Sequence, residues 1–394
     1  MVPKRAVVFL SLLWFSMAAA AAAPPSGVVT TVAGQPGVAG YWDGPDTDAL
    51  FTHPTWLDVA VSDRPPSFGE AEHGEIYVVD RINQLVRRIS VRGVVSTLKL
   101  RRTFTEPASL HFGTAFGGGI AIEPPGAGCG GGIYDRGIFL AATGEERVYL
   151  VSTDGYFASR DWFPVIIGTG KTGARDGISP NEAEFRSPSG VAYTPNSRNN
   201  DRYELRQALY VADSGNHTIR RVAYSASPEN CPEPLYVTTF AGAAGEPGSA
   251  DGIGSAARFN TPRGIAATAD GVVYVTDAGN HTVRKITPDG IVTTIAGTPG
   301  IAGSDDTHLN TPSGIDVNDK GEVFFVDTFN HAIRMIGTDG KLVTVAGQLG
   351  VSGFADGDAA AAKFNAPVGL KIAPDGSIVI ADTGNNVIRR LTLK

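Results

Sequence analysis

After its first 26 residues, this 394-residue sequence contains no apolar run that approaches the roughly 20 residues of a membrane-spanning helix. It also lacks any long periodic stretch rich in Ala, Glu, Lys and Leu, and its C-terminal VIRRLTLK is neither a lipid-anchor tail nor a retention signal. It contains instead 49 glycines and 25 prolines, a composition typical of many short strands joined by tight turns. Because 42% of the residues are hydrophobic, the chain can bury a sizeable core, and we expect a globular all-β protein.

The first residues, MVPKRAVVFLSLLWFSMAAAAAAPPS, place two basic side chains before an apolar run that ends in alanines. A basic region, an apolar region and a small-residue cleavage site are typical of a secretory signal. An uncleaved anchor is the alternative, but the apolar run is short and Pro24 and Pro25 interrupt any helix. We therefore predict a signal peptide over residues 1–23, and a secreted, extracellular protein with no stable membrane insertion after cleavage.

One unit repeats along the chain. In its clearest copies the equivalent residues Asn280, Asn330 and Asn385 are 50 and 55 positions apart, close to the roughly 40 to 50 residues of a propeller blade. Two earlier copies are more diverged, and a degenerate copy between them lacks both the Asn turn and the preceding Asp-Gly loop. The total of six copies predicts a six-bladed β-propeller.

Each copy is predicted to form four strands, because alternating segments such as TVRKI and VTTIA are separated by Asp-Gly turns. The sequence ends after a third strand at Val387–Leu393, whereas an unpaired fourth strand, Val28–Ala33, opens the mature chain. We expect that strand to complete the last blade and close the ring, because an open sheet edge invites aggregation. The predicted domain covers residues 24–394, with blades at approximately 51–100, 107–168, 185–242, 259–297, 312–347, and 364–394 plus 28–34.

The motif Asp-x-x-Asn-His-x-Ile/Val-Arg occurs at Asp213–Arg220, Asp277–Arg284 and Asp327–Arg334. It resembles the NHL-repeat signature, and the surrounding P-x-G-I-A and V-x-T-I-A-G segments fit that signature too. The chain departs from it at Gln84 and Asn386, where His is replaced, and throughout the second copy. The resemblance implies the propeller fold but no single function, because the family includes enzymes, RNA binders and scaffolds for ligands or proteins.

The residues that recur in this motif are interpreted as architecture. The three histidines invite a zinc interpretation, but equivalent positions in successive blades are spread around the ring. The recurring aspartates suit the acceptance of backbone N–H bonds in the turn two or three residues later. The predicted structural set is Asp213, Asn216, His217, Arg220, Asp277, Asn280, His281, Arg284, Asp327, Asn330, His331, Arg334, Asp382, Asn385 and Arg389, with Asp80 and Arg87 in the first copy.

A Gly-rich loop of the form G-x-x-G-x-x-D-G precedes the first strand in five copies. Such loops can cradle anions, and Asp can bind Ca²⁺. Each loop offers too few carboxylates for a full Ca²⁺ shell, and GTGKTGARDG lacks the Lys-Ser/Thr of a phosphate loop, so turn geometry is favoured. The candidate ligand-binding residues are Asp43, Asp176, Asp251, Asp305 and Asp356. We predict no metal and no other cofactor.

Three long insertions, which begin at Ser62, Glu123 and Thr194, differ between the copies and are expected on the face opposite the Asn turns. Unrepeated loops on a repeated scaffold commonly carry specific binding, although a tolerated surface insertion is an equally open interpretation.

The two cysteines, Cys129 and Cys231, fall in loops predicted to share a face in neighbouring blades, and in an exported protein a disulfide is favoured over free thiols.

Two further features bear on export and function. Asn216 and Asn280 each begin an Asn-x-Thr sequence, which predicts N-glycosylation in a secreted chain. Nucleic-acid binding is disfavoured by the net charge of −7 and by the export signal.

We interpret the chain as a non-enzymatic binding scaffold for a protein, peptide or glycan, because no unique catalytic cluster is evident. The alternative is a small-molecule hydrolase or lyase with its site at the mouth of the central channel. Amidating lyases with this fold use zinc-binding His with catalytic Tyr and Arg near the channel, and the sequence shows no matching set of unrepeated residues. The first strands also supply no ring of Glu and Asn like that of calcium-dependent lactonases.

Overall fold

The computed structural model describes residues 25–61, 74–98, 118–122, 137–152, 165–194, 208–224 and 234–394. In these residues the chain forms six antiparallel sheets, each with four main strands, arranged as the blades of a propeller. This arrangement confirms the predicted fold class. None of the described residues forms a helix long and apolar enough to cross a membrane.

In each blade the strands follow one another from the central channel of the propeller to the outer edge. Blade 1 contains Pro54–Val59, Ile76–Asp80, Leu85–Ile89 and Val94–Thr97, with Gly44–Pro45 at its outer edge. Blade 2 contains Ile120–Ile122, Gly137–Ala142, Arg147–Ser152 and Val165–Ile167. Blade 3 contains Pro188–Tyr193, Ala208–Asp213, Thr218–Tyr224 and Pro234–Ala241.

The remaining blades have the same plan. Blade 4 contains Pro262–Ala267, Val273–Asp277, Thr282–Ile286 and Ile291–Ala296, with Gly252–Ile253 at its outer edge. Blade 5 contains Pro312–Val317, Val323–Asp327, Ala332–Ile336 and Leu342–Ala346. Blade 6 contains Gly369–Ile372, Ile378–Asp382, Val387–Leu393 and Gly27–Ala33, with Gly357–Asp358 at its outer edge. Short 3-10 helices occur at Asp46–Asp48, Thr143–Glu145, Pro180–Glu182, Ser214–Asn216, Gly254–Ala256, Ala278–Asn280, Thr328–Asn330 and Thr383–Asn385.

The core consists of six apolar clusters, one between each pair of neighbouring blades. Successive strand residues point to opposite faces of a sheet, so adjacent positions serve different clusters. Ile380 packs toward blade 5 with Phe324, whereas Val379 packs toward blade 1 with Val78. The second strands are therefore apolar on both faces, as in VFFVD, and hydrophobic burial joins the blades into a ring.

The N-terminal strand closes this ring. Gly27–Ala33 pairs with Val387–Leu393, from Gly27 opposite Leu393 to Thr31 opposite Arg389. At the end of the pairing, the backbone N–H of Lys394 donates to the carbonyl of Ser26 at 2.9 Å. The prediction that the N-terminal strand completes the last blade is confirmed.

The turns between the second and third strands define one face of the propeller. In blade 3 the turn ends at His217, whose φ of 59° lies in the left-handed region, and Asn386 ends the blade 6 turn with the same φ. Asn and His enter this region more readily than branched residues do. We call the face that carries these turns the turn face and the opposite face the insertion face. The predicted insertions lie almost entirely outside the described residues.

Candidate functional site

The recurring Asp, Asn and Arg side chains form a buried network in each regular blade. In blade 3, Asp213 is fully buried, and its Oδ2 accepts hydrogen bonds from Asn216 Nδ2 at 2.8 Å and Arg220 Nη1 at 3.0 Å. Its Oδ1 accepts the backbone N–H of Arg186 at 2.7 Å. Equivalent bonds are made by Asp80, Asp277, Asp327 and Asp382.

This geometry differs from the expectation that Asp accepts backbone bonds inside its own turn. The turn is closed by a backbone bond, from His217 N to Ser214 O, and the Asp side chain makes no capping bond to it. The carboxylate instead ties the turn to the segment that enters the first strand. Burial raises the pKa of Asp213 to about 6, against the lowering effect of Arg220 and the other donors. Because every partner is a donor, the carboxylate remains ionised at neutral pH.

Four of the five loop aspartates bind the same arginines from the other side. Asp43 Oδ1 lies 2.7 Å from Arg87 Nη2, and Asp251 Oδ1 lies 2.7 Å from Arg284 Nη2. Asp176 and Asp356 bind Arg220 and Arg389 in the same way. Each of these arginines is fully buried and also lies over a phenylalanine ring. These candidate ligand-binding residues are thus placed in the framework of their own blades.

Asp305, the fifth loop aspartate, is placed differently. Its carboxylate accepts bonds from the backbone N–H and hydroxyl of Thr307 and from His308, whose Nδ1 lies 2.7 Å from Asp305 Oδ2. These bonds, above all the Thr307 backbone bond, lower the pKa of Asp305. The structure therefore does not bring the Asp305 carboxylate to the buried Arg334 of blade 5.

In blades 2 to 6, the residue that ends the turn bonds its blade to the next one. His331 Nδ1 accepts the backbone N–H of Ala366 in blade 6 at 2.9 Å, and Asn386 Oδ1 accepts that of His53 in blade 1 at 2.9 Å. The same bond joins His217 to Thr261, His281 to Thr311 and Glu146 to Ser187. We call these the inter-blade bonds. A histidine that accepts at Nδ1 must be neutral, with its proton on Nε2.

Replacing His331 by Asn is expected to preserve stability at pH 7.5 and to reduce the loss of stability on acidification. Asn386 shows that an amide oxygen makes the same bond. Burial lowers the pKa of His331, so its contribution is complete above the ordinary value of about 6.5 and is lost as pH falls through the lower folded value.

Thermal unfolding of both proteins between pH 7.5 and pH 5 measures this effect, and contributions from the buried aspartates cancel in the comparison. An equal loss of melting temperature in the wild type and the His331→Asn variant would show that this inter-blade bond does not respond to pH.

The described residues of blade 2 lack the charged network but keep the inter-blade bond. In strand register, Ala142 replaces the turn Asp and Tyr149 replaces the Arg. The Tyr149 hydroxyl donates to the Glu145 carboxylate, which occupies the position of the turn Asn. Burial, followed by this bond, raises the pKa of Tyr149 to about 12. The sequence departs most from the repeat where the buried ion pair is replaced by a Tyr–Glu bond.

The central channel contains a charged triad that the sequence analysis missed. Lys371 Nζ lies 3.5 Å from Asp58 Oδ1 and 3.5 Å from Asp316 Oδ2, so a blade 6 lysine bridges blades 1 and 5. The carboxylates also accept the backbone N–H of Ile122 at 2.7 Å and of Ile372 at 3.0 Å. The triad faces a cavity of about 80 Å³ lined by all six first strands.

The triad has a defined charge state. Burial opposes the charge on Lys371, but Asp316 and Asp58 outweigh it and raise the lysine pKa. The amine therefore stays protonated and is a poor nucleophile. The signal for this site lay at one equivalent register position of the first strands, the residue opposite Tyr77 in blade 1 and opposite Val379 in blade 6. The order around the ring at this position is Asp58, Ala121, Ala192, Ala266, Asp316 and Lys371.

A set of exposed apolar side chains lies on the turn face. Tyr41 and Trp42 are 71% and 68% exposed, on the loop before blade 1. We call the whole set the apolar arc, and its members are Val38, Tyr41, Trp42, Ile82, Ile301, Phe329, Val351 and Phe354. They belong to the loops before blades 5, 6 and 1 and to the turns of blades 1 and 5. The loops before blades 3 and 4 expose Lys171, Arg175 and Glu246 in the corresponding segments, and their exposed apolar residues, Ile178 and Ile253, lie at the outer edges of the blades.

The loops of the apolar arc are fixed by backbone bonds to the turns. The N–H of Gly37 donates to Asn385 O at 2.9 Å, and that of Gly350 donates to Asn330 O at 3.0 Å. The loop before blade 5 is held in the same way by Asn280. The exposed side chains therefore project from an ordered surface.

The predicted glycosylation sites are buried. Asn216 is 5% exposed, and its Nδ2 donates to Asp213 Oδ2 and to Gly173 O, at 2.8 and 2.6 Å; Asn280 is placed equivalently. An N-linked glycan would leave this nitrogen one proton for two bonds. Glycosylation there stays a prediction, and it requires that one of these bonds be lost.

The predicted disulfide partners, Cys129 and Cys231, and the predicted signal, 1–23, lie outside the described residues.

No group of three or more His, Cys, Asp or Glu side chains within the described ranges is placed to share a metal ion. The three repeated histidines lie in three different blades and bind three different backbone groups.

Comparison with known sequences supports the repeat assignment. The family model of the teneurin NHL domain matches residues 197–307. The Arabidopsis thaliana protein SUPPRESSOR OF QUENCHING 1, chloroplastic, is 27% identical over 91% of this chain, which spans 27% of that protein. Human NHL repeat-containing protein 2 is 33% identical over 26% of this chain, which spans 12% of that protein.

Solved structures share the fold. A structural genomics protein of unknown function from Bacteroides thetaiotaomicron superposes with a TM-score of 0.62 at 22% identity, over 93% of this chain and 76% of that one. An auxiliary nutrient binding protein from the same organism gives 0.60 at 18% identity, over 94% and 77%. At these identities the likeness concerns the fold alone. Together, the repeated motif, the closed ring of six blades and the matches to NHL domains support an NHL-repeat β-propeller.

Proposed function

We propose that this propeller is a secreted, non-enzymatic binding protein that holds a protein or peptide partner on its turn face. The apolar arc carries this proposal. Contiguous exposed apolar surface is uncommon on soluble proteins and marks interaction sites, and Trp and Tyr are enriched among the residues that dominate binding energy. Tyr41 and Trp42 are the most exposed aromatic side chains of the arc.

The fixed loops favour recognition further. Because backbone bonds from Gly37 and Gly350 already hold the loops on the turns, little loop entropy is lost when a partner binds. The auxiliary nutrient binding proteins that share the fold are compatible with a binding role. The proposed secretion depends on the N-terminal segment of the sequence.

A second candidate function has its own observation. The triad of Asp58, Lys371 and Asp316 is unrepeated and faces the channel cavity, with both carboxylates buried and the lysine partly exposed. A small-molecule hydrolase or lyase would use these charged groups in the channel, whereas a protein that binds a peptide on its turn face would not need them.

The experiment compares capture by four immobilised proteins, the wild type and three variants, from the secreted fraction of cells that express the chain. The test variant is Tyr41→Ser/Trp42→Ser, and the matched control is Ile178→Ser. Ile178 is 86% exposed, but it lies at the outer edge of blade 3, next to the bridge between Gly177 and Val237, and outside the apolar arc. We expect a partner whose affinity falls roughly tenfold or more with the double variant, since central aromatic side chains contribute about 2 kcal/mol or more.

The control should bind that partner like the wild type. If the double variant retains every captured protein at wild-type affinity, the turn-face proposal is wrong. If a captured small molecule is instead lost with Lys371→Met, the channel is the functional site.

A further inference from the structure

The regular blades show how this fold holds a carboxylate at its edge. In blade 4, Asp251 Oδ1 accepts bonds from Arg284 Nη2 at 2.7 Å and from Thr294 Oγ1 at 2.9 Å, and its Oδ2 accepts the Thr294 backbone N–H at 3.1 Å. Arg284 and Thr294 are register partners on the third and fourth strands. The same donor pair holds Asp43, Asp176 and Asp356 in blades 1, 3 and 6.

Blade 5 has the donor pair without the acceptor. Arg334 and Thr344 are register partners, as in blade 4, and Arg334 is fully buried. Among the described residues, no atom accepts a hydrogen bond from Arg334 Nη2 or pairs with Thr344 Oγ1, and both atoms are buried. The Asp305 carboxylate binds Thr307 and His308, and only its backbone carbonyl reaches Arg334, at 3.2 Å from Nη1.

The cause is a shorter loop. From Gly297 to Pro312 the chain advances 15 positions, whereas from Gly242 to Pro262 in the preceding blade it advances 20. The five missing residues correspond to the outer strand and the 3-10 helix that present Asp251 to Arg284. The same segment places Leu309 where other blades stack a phenylalanine on the arginine. Burial without these contacts lowers the pKa of Arg334.

An unpaired buried donor is costly, so an oxygen that fits both groups gains affinity there. The equivalent carboxylates in the other blades are 39 to 50% exposed, which places the position at the surface of the molecule. In blade 5 the Asp305 carbonyl reaches Arg334 Nη1, and residues 304–307 around it are exposed. Asp305 and Asp306 add negative charge nearby, which disfavours a doubly charged phosphate more than a singly charged carboxylate.

We propose that blade 5 carries a carboxylate-binding site in which Arg334 Nη2 and Thr344 Oγ1 bind one carboxylate from outside the chain. Ile301 and Phe329 of the apolar arc belong to the loop and turn of the same blade. If the site binds an acidic group of a peptide partner on the turn face, that role rests on the proposed function. As a receptor for a free carboxylate, it stands independently of that function.

The probe is sodium acetate, titrated against sodium chloride at equal ionic strength and followed by the NMR shift of the Thr344 backbone amide. We expect saturable binding of acetate and none of chloride. Thr344→Val should weaken acetate binding about fivefold, the effect of one lost hydrogen bond. Thr294→Val in blade 4 is the matched control, because Asp251 already occupies that position. Followed by the Thr344 amide, this variant should leave acetate binding at blade 5 unchanged.

Absence of a saturable shift, or equal affinity in the wild type and Thr344→Val, would overturn the site. Saturation that appears only in Asp306→Asn would show that Asp306 is the natural occupant, which also overturns it. Acetate binding that survives in Tyr41→Ser/Trp42→Ser separates this inference from the proposed function. Failure to capture any partner, with acetate binding intact, would remove the turn-face proposal alone.

Discussion

A chain without Gly27–Ala33 is expected to lose the cooperatively folded propeller. This strand pairs with Val387–Leu393 on one side and with Gly357–Asp358 on the other. Val29 and Ala33 are fully buried, in the clusters that join blade 6 to blades 5 and 1. Its removal exposes both clusters and leaves the edge of the preceding strand open to other chains. Size-exclusion chromatography and thermal unfolding should show aggregation and no sharp transition.

The same seven residues should restore the fold when they follow Lys394. Because Lys394 already bonds to Ser26, a hairpin linker of about two to four residues can join the chain ends without moving either strand. We expect this permuted chain, which begins at Gly34, to be monomeric with a melting temperature near that of the wild type. If the truncated chain alone unfolds sharply at the wild-type temperature, ring closure does not stabilise this propeller.

The fold followed from the sequence because its signals are local and repeated. Every turn outside blade 2 carries an Asn followed by a residue that accepts a positive φ, and the strands alternate residues between two faces with a period of two. The position of Val28–Ala33 followed from counting strands, since the last copy lacks its fourth. Both features depend on residues close in sequence, and periodicity reports such residues directly.

The candidate sites could not be predicted from the sequence because they depend on contacts between blades. Lys371 meets Asp58 across more than 300 positions, and only the ring geometry brings them together. His331 was assigned to its turn, but its acceptor atom binds the backbone of the next blade. The inserted loops favoured the insertion face in the sequence analysis, whereas the exposed Tyr41 and Trp42 lie in an ordinary repeat loop on the turn face.

Blade 5 shows that repeat position alone does not decide a residue's role. Asp306 lies nine positions after Gly297, as Asp251 lies nine positions after Gly242, yet among the described residues no carboxylate binds Arg334 Nη2, and the carboxylate of the preceding Asp305 binds His308. A deletion of five residues is visible in the sequence, but its effect on Arg334 depends on where the remaining backbone lies. Only in the folded structure is the Nη2 of Arg334 seen to lack the carboxylate that binds the equivalent arginines of the other regular blades.

Replacing Arg284 by Met is expected to destabilise the propeller by about 3 to 5 kcal/mol, the range for breaking a buried ion pair from one side. Arg284 Nη1 binds Asp277 at 2.9 Å, Nη2 binds Asp251 at 2.7 Å, and the guanidinium lies 5.1 Å from the Phe259 ring centre. Methionine fills similar space but leaves the fully buried Asp277 without a charge partner.

Arg334→Met in blade 5 is the matched control, and its cost should be roughly half as large. Arg334 lies farther from its inner aspartate, at 3.3 Å from Asp327, and lacks both the outer carboxylate and the aromatic ring. Denaturant unfolding at pH 7.5 measures the two values. Equal costs would mean that Asp251 and Phe259 add nothing to the buried pair.

The cost of Arg284→Met should also shrink on acidification. Burial raises the pKa of Asp277 to about 6 even with Arg284 present, and removal of that positive charge raises it further. An acid whose folded pKa is raised gains relative stability as pH falls through that value, because protonation relieves the buried charge. The difference between the wild type and the variant should therefore be smaller at pH 5 than at pH 7.5. A difference that is constant over this range would mean that Arg284 stabilises the blade through packing and carbonyl bonds, and that the Asp277 charge contributes little.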